Sequence, residues 1–278
     1  MTSEVMDPHL APWIRCGMTS PTNSRSSDDR RTAGAGGLLR TWRHRRRMSQ
    51  LDLASAADVS TRHLSYVETG RSRPSRELLL HLARHLDVPL REQNDLLIAA
   101  GHAPAFTELN LDDPSMRPVV AALKTLLAGS EPHPTLVMDR HWNLVLANEA
   151  ALAMTAGAAD HLLGPPLNVV ELTVHPDGLA SQIVNIDEVA AHLCHRLRRQ
   201  HAVTGDERLA ELITTVQHHV PGSIGIHPIT PAAALTIHLR TDDHDIMLLS
   251  IVSTFGTALD VTTAELTIET FYNVGQRT

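Results

Sequence analysis

The chain has 278 residues, a formal net charge of −7 and only 3% aromatic residues, a length that suits about two domains. Two cysteines, Cys16 and Cys194, exclude a disulfide framework and suit a reducing cytoplasm. No apolar run approaches the ~20 residues that span a bilayer, and the first 15 residues lack a basic start before an apolar core, so neither a membrane span nor a signal peptide is expected. The charge is unevenly spread. Residues 36–106 hold 11 Lys and Arg against 7 Asp and Glu, whereas residues 107–278 hold 9 against 20. A basic segment followed by an acidic one reads as a nucleic-acid module joined to a part that does not touch DNA.

Residues 1–35, rich in Ser, Thr, Pro, Arg and Asp without a period, read as a disordered tail. Leu38 to about Arg47 reads as a helix with Leu38, Leu39 and Trp42 on its apolar side. Arg40, Arg43, Arg45, Arg46 and Arg47 crowd the remainder, and like charges this dense need an anion beside them. A phosphate backbone is such an anion, so Arg45 and Arg46 are expected phosphate contacts. From Ser49 to Pro74 the sequence encodes two short helices and a tight turn. Ser49 and Ser60 stand at N-cap positions, where a hydroxyl accepts an orphan backbone N–H, and Gly70 stands where a left-handed residue closes a helix. Leu53, Ala54, Ala57, Leu64 and Val67 face inward. Thr61, Arg62, Ser65 and Tyr66 then share an outer face of the second helix, the arrangement by which a helix–turn–helix reads base edges. Arg is the commonest bidentate partner of guanine, so Arg62 is the expected direct reader.

Two further helices follow, with Leu79, Leu82, Ala83 and Leu86 at helical spacing in one and Leu90 to Ala100 forming the other. The DNA module is taken as residues 36–106, a linker as 107–113, a second domain as 114–274 and a short tail as 275–278. The second domain opens with a helix from Pro114 to Leu127. Pro134–Asp139 and Trp142–Ala147 read as strands, and Asn148, Asn168 and Asn185 as caps of helices. Glu207–Val220 reads as a helix, and Ala233–Arg240, Ile246–Phe255 and Val261–Tyr272 as strands. The sum is an all-α five-helix module followed by an α+β domain whose antiparallel sheet of about five strands is covered on one face by helices.

The helix–turn–helix stretch resembles that of the phage-repressor-like (XRE) transcription regulators, through Ser49-Gln50, Leu53-Ala54, Ser60, Leu64-Ser65, Val67-Glu68, Gly70 and Pro74. The second domain resembles the PAS-like ligand-binding domain of the MmyB-like regulators. Val137-Met138-Asp139-Arg140, Trp142, Asn148, His175 to Leu179, Val184-Asn185 and Thr254 to Thr257 carry that likeness. The first resemblance implies that Gln50 opens its helix on a phosphate, that Arg71 and Arg73 bind phosphate, and that Arg43 and Glu68 form a structural ion pair. The second implies an effector site for an apolar, fatty-acid-like small molecule. Its lining is expected from Trp142, Leu144, Met154, Val170, Leu193, Ile251 and Phe255, with Asn148 or His175 near a polar end. Trp142 fits core or pocket wall alike, and His175 fits a ligand contact or its own turn alike.

Other constellations carry less. His192 and His195 lie beside Arg196 and Arg199, whose charges disfavour a cation, and His218-His219 is a bare pair. Asp242, Asp243 and Asp245 suit a hairpin turn. No metal, cofactor or catalytic residue is expected. The reading is a cytoplasmic, nucleoid-associated transcription regulator that binds double-stranded DNA as a homodimer, with Leu96–Ile98 or the apolar second domain supplying the contact. A DNA-tethered enzyme and a scaffold whose second domain binds another protein are the alternatives.

Overall fold

The computed structural model describes residues 34–223, 235–240 and 245–277. Five helices come first: α1 (Ala35–Arg45), α2 (Gln50–Ala56), α3 (Thr61–Glu68), α4 (Arg76–His85) and α5 (Leu90–Ala99). The serine caps form as the sequence implies. Ser49 Oγ accepts from Asp52 N at 3.1 Å while the Asp52 carboxylate accepts from Ser49 N at 2.8 Å, a reciprocal capping box. Ser60 accepts from His63 N and Ser75 from Leu78 N. Helix ends fall at left-handed residues: Arg47, Asp58, Asp87 and Gly70 have φ of 55°, 50°, 46° and 73°. Arg47 holds this backbone without the freedom of glycine, at a cost on the order of 1 kcal/mol. Leu39, Trp42, Leu53, Leu64, Val67, Leu82 and Leu86 make the core that the five helices share.

The second part runs α6 (Arg117–Gly129), β1 (Thr135–Met138), β2 (Leu144–Ala147), α7 (Glu149–Ala153), α8 (Asp160–Leu163) and α9 (Val169–Val174), then α10 (Ile186–Thr204) and α11 (Glu207–His219). It closes with β3 (Thr236–Arg240), β4 (Asp245–Thr254), α12 (Val261–Glu265) and β5 (Thr267–Arg277). The sheet order is β2-β1-β5-β4-β3, antiparallel at every pairing. Alternation along β1 splits two cores. Met138 joins Val170, Leu193, Leu197, Leu212 and Val216 under α9, α10 and α11. Val137 joins Leu123 and Leu127 of α6 with Leu146, Leu266 and Ile268. The sheet is therefore covered on both faces, not one, because α6 lies opposite the other helices.

Two further expectations are corrected. Val261–Tyr272 is not one strand: Asp260 accepts from Thr263 N and starts the short helix α12, so β5 begins only at Thr267 and runs on to Arg277. The apolar alternation through Ala264 misled because Ala264 is exposed and a local cap outweighs it. Asn185 occupies the N-cap position of α10 but makes no side-chain cap. Its amide instead accepts from His238 N at 2.9 Å and donates to Thr236 O at 2.8 Å, fastening α10 to β3. The expected turn at Asp242-Asp243 lies outside the described residues.

The two parts meet in a polar seam. Arg91 of α5 donates to both carboxylate oxygens of Glu265 at 2.8 Å and pairs with Glu108. Arg140, in the β1–β2 turn, contacts Glu265 and Asp206, and His141 also meets Asp206 at 2.9 Å. The connecting segment is pinned as well, by Val261 N to Thr107 O and Leu109 N to Asp260 Oδ2. Within this seam Glu92 of α5 is buried, and among the described residues neither of its carboxylate oxygens has a hydrogen-bond partner beyond its own backbone N–H. Burial pushes its pKa up to about 7, with Arg140 opposing and Glu265 and Asp95 reinforcing the rise.

Candidate nucleic-acid interface and effector domain

Helix α3 presents two different sides. Leu64, Val67 and Glu68 are buried, whereas Thr61, Arg62, Ser65 and Tyr66 line the side that keeps contact with solvent. Arg62 is fully outside. Its Nε donates to Tyr66 Oη at 3.0 Å, and its guanidinium lies 5.4 Å from the centre of the Tyr66 ring. The i, i+4 pair thus holds a charged fork and a phenol together on one outer face.

The inner side is locked. Arg43 of α1 donates through Nε and Nη2 to Glu68 Oε1 and Oε2 at 2.7 and 2.8 Å, and through Nη1 to Met48 O at 2.8 Å. The bond to Glu68 raises the Arg43 pKa further, against its partial burial. For Glu68, burial would lift the carboxyl, but the bonds from Arg43 and Gln50 and the Arg43 charge outweigh it, and its pKa lies below the ordinary value. Gly36 of α1 lies against the carbonyls of Val67 and Glu68, where any Cβ would collide with backbone. The chain therefore approaches the end of α3 closely through a residue with no side chain.

Several arginines expected on phosphate are otherwise engaged. Arg45 donates to Thr204 O at 3.0 Å, at the end of α10, and so joins the seam. Arg46 donates to Leu86 O and Asp87 O, both at 2.7 Å, and covers carbonyls left open at the end of α4. Arg73 donates to Ala100 O at 3.1 Å and does the same for α5. Gln50 donates its amide to Glu68 Oε2 at 2.8 Å and extends the buried pair; the second N–H of that amide and the main-chain N–H at the start of α2 remain open to a phosphate. Arg71 is exposed and has no side-chain partner among the described residues. No local signal marks these assignments, since the carbonyl partners lie 27 to 159 residues away for Arg73, Arg46 and Arg45.

The nine residues expected to line an effector pocket do not share one wall. Trp142, Val170 and Leu193 are buried in the core beneath the helices, with Leu144 and Met154 half-buried against it. Trp142 Nε1 donates to Gln200 at 2.8 Å, and Arg196 stacks on its ring at 4.4 Å. Phe255 belongs to the cluster on the opposite face of the sheet, and Ile251 is 50% exposed. Asn148 is a structural residue: it accepts from Thr135 N and Ala151 N and donates to His133 O. His175 Nδ1 accepts from Asp177 N at 3.0 Å, so it fixes its own turn. Inward facing, read from sequence, does not separate one core from another on the two sides of a sheet. Of Leu96–Ile98, the first two are core and only Ile98, 48% exposed, is open to a partner.

A five-helix unit with a polar face on its third helix, ahead of an α+β domain, defines a helix–turn–helix protein with an appended α+β domain. Residues 35–96 match a helix-turn-helix domain, and residues 119–277 match the MmyB-like transcription regulator ligand binding domain. The chain belongs to this family of regulators. It is also similar to HTH-type transcriptional regulators of Mycobacterium bovis and Mycobacterium tuberculosis, 32% identical over 114 residues. That similarity covers 38% of this chain and 38% of each relative. No helix among the described residues is long and apolar enough to cross a membrane.

Proposed function

We propose that the protein is a sequence-specific regulator of transcription that docks α3 in the major groove of double-stranded DNA. The observation that carries this reading is the solvent-facing set Thr61, Arg62, Ser65 and Tyr66 on a helix whose other side is fixed by Arg43 and Glu68. A rigid support with an adaptable polar face is what base readout requires. Arg71 and the second N–H of Gln50 take phosphates beside it. The protein acts in the cytoplasm and is not an enzyme. It binds as a homodimer, since one module of this size reads only a few base pairs and two related by a two-fold read half-sites about 10 bp apart. Apolar side chains open to a second copy include Ile98, Ile251, Val252 and Val274.

Arg62→Ala is expected to remove about 1–3 kcal/mol of discrimination between operator and random DNA while weak nonspecific binding survives. Competition binding at fixed salt measures it. Equal losses on both DNAs would make Arg62 a phosphate contact.

In the same reading the second domain binds a small apolar, fatty-acid-like effector against the core beneath α9, α10 and α11, near Leu144 and Met154. Support comes from the family's ligand-binding domain and from the acidic balance of residues 107–278, whose field opposes DNA. Occupancy is expected to change operator affinity by roughly 5- to 150-fold, the range of ordinary couplings. Delipidated protein titrated with operator, with and without a long-chain fatty acid, tests it. An unchanged affinity, with no fatty acid bound, would remove the sensor reading and leave the DNA reading in place.

A further inference from the structure

Three stretches far apart in sequence bring imidazoles together on the helical side of the second domain. His161 sits on α8, His175 follows α9, and His218 and His219 end α11. The rings of His161 and His175 lie 5.3 Å apart, those of His175 and His219 4.7 Å, and those of His218 and His219 5.0 Å. Asp177 completes the group: donor atoms of His161, His175 and Asp177 all lie within 4.8 Å of one another. A backbone bond holds two of the stretches together, with Ala159 N on Asp177 O at 2.9 Å joining the start of α8 to the turn.

We propose that His161, His175 and Asp177, with His219 as a fourth donor, form a binding site for a first-row divalent ion of the zinc class. Imidazole nitrogen with one carboxylate oxygen suits Zn²⁺, Ni²⁺, Co²⁺ or Cu²⁺, not Mg²⁺ or Ca²⁺, which take all-oxygen sets. Ligands at metal distances of about 2.0–2.1 Å stand roughly 3.3 Å apart in a tetrahedron. The donors of His161, His175 and Asp177 must close by up to about 1.5 Å, and His161 and Asp177 are exposed and can rotate. The lone pair on His175 Nδ1 now holds Asp177 N–H. An ion bound at Nδ1 takes that lone pair. An ion bound at Nε2 needs the other tautomer, whose Nδ1–H cannot accept. Either way the bond is exchanged, so occupancy is linked to the turn at His175–Gly178. That turn is tight: Gly178 packs on the Leu172 carbonyl with no room for a Cβ. The expectation of no metal, weighed from His192, His195 and the bare His218-His219 pair, missed this group because its members are brought together only by folding.

The test uses the full chain, stripped by chelator and dialysed. Isothermal titration with Zn²⁺ and visible absorption with Co²⁺ are the readouts. One equivalent is expected to bind, Co²⁺ is expected to give ligand-field bands of a low-coordinate nitrogen–oxygen site, and a hundredfold excess of Mg²⁺ should not compete. His161→Ala and Asp177→Asn, both surface changes, are each expected to weaken binding at least about tenfold. His195→Ala, on the exposed side of α10, should leave it unchanged. Binding that survives His161→Ala and Asp177→Asn, or that is lost in His195→Ala, would place the ion elsewhere among the 18 histidines and overturn the proposal. So would Zn²⁺ affinity no greater than that for Mg²⁺.

Discussion

Replacing Arg43 with alanine is expected to cost about 3–5 kcal/mol of unfolding free energy, the loss typical of removing one partner from a buried pair. The Glu68 side chain is 1% exposed and receives two bonds from Arg43. Only the Gln50 amide would remain to it. Because whole domains are stable by only about 5–15 kcal/mol, the helical module would be left close to its threshold, and α3 would lose the support that aims it. Urea unfolding followed by circular dichroism measures the effect. The double variant Arg43→Met with Glu68→Met separates charge from packing: it should be much less harmful than the single change, since a buried pair replaced by apolar side chains of similar size is often neutral. If single and double variants cost the same, the uncompensated carboxylate is not the cause. Acid supplies an independent check. The Glu68 pKa is depressed in the folded protein, so its stabilisation is present above the unfolded carboxylate pKa and is lost as pH falls through the folded one. The advantage of the native pair over the double variant should shrink in acid.

Local signals carried most of what the sequence made legible. Ser49, Ser60 and Gly70 mark helix ends through bonds within four residues, and they mark the observed ends of α2 and α3. The outer face of α3 followed from helical period alone. What was not legible depends on partners that only the folded chain supplies. Arg45, Arg46 and Arg73 have long side chains that reach carbonyls on other helices, and a run of arginines beside a reading helix looks the same whether it meets phosphates or helix ends. Asn185 looked like a cap because its position is right, while its amide found β3. Phe255 and Ile251 both alternate as strand residues, but which face is closed by α6 and which edge stays open is a property of the sheet order.

Glu92→Gln is expected to make the protein more stable at neutral and alkaline pH, by on the order of 3 kcal/mol above pH 8. The native carboxyl is buried in the seam with no hydrogen-bond partner among the described residues beyond its own backbone N–H, and burial raises its pKa to about 7. In an unfolded chain it titrates near 4.3. The folded state therefore holds the extra proton between these values. Its contribution is fully present below the unfolded pKa and is lost as pH rises through about 7. The charged groups around it are Arg140 of the β1–β2 turn and Glu265 of α12, Asp95 on its own helix, and Arg45 of α1, which lines the same cavity and also bonds to Thr204 O. A cavity of about 70 Å³ opens beside it, lined also by Thr41 and Trp42 of α1 and by Thr204 of α10. Ionisation puts a charge there that Arg140, already shared between Glu265 and Asp206, only partly compensates. The least disruptive relief is to admit water by loosening α5 from the second domain, so the strain falls on the contact between the helical module and the second domain. Glutamine keeps the shape without the charge. Urea unfolding of both proteins from pH 5.5 to 8.5 gives the test as a difference, which cancels the titration of the many histidines. The gap should open as pH rises, and hydrogen exchange should show the Arg91–Glu265 region opening more readily in the native protein than in the glutamine variant above pH 7. A gap that stays constant across this range would mean that Glu92 is ionised throughout in the folded protein, and the seam would then be insensitive to pH through this residue.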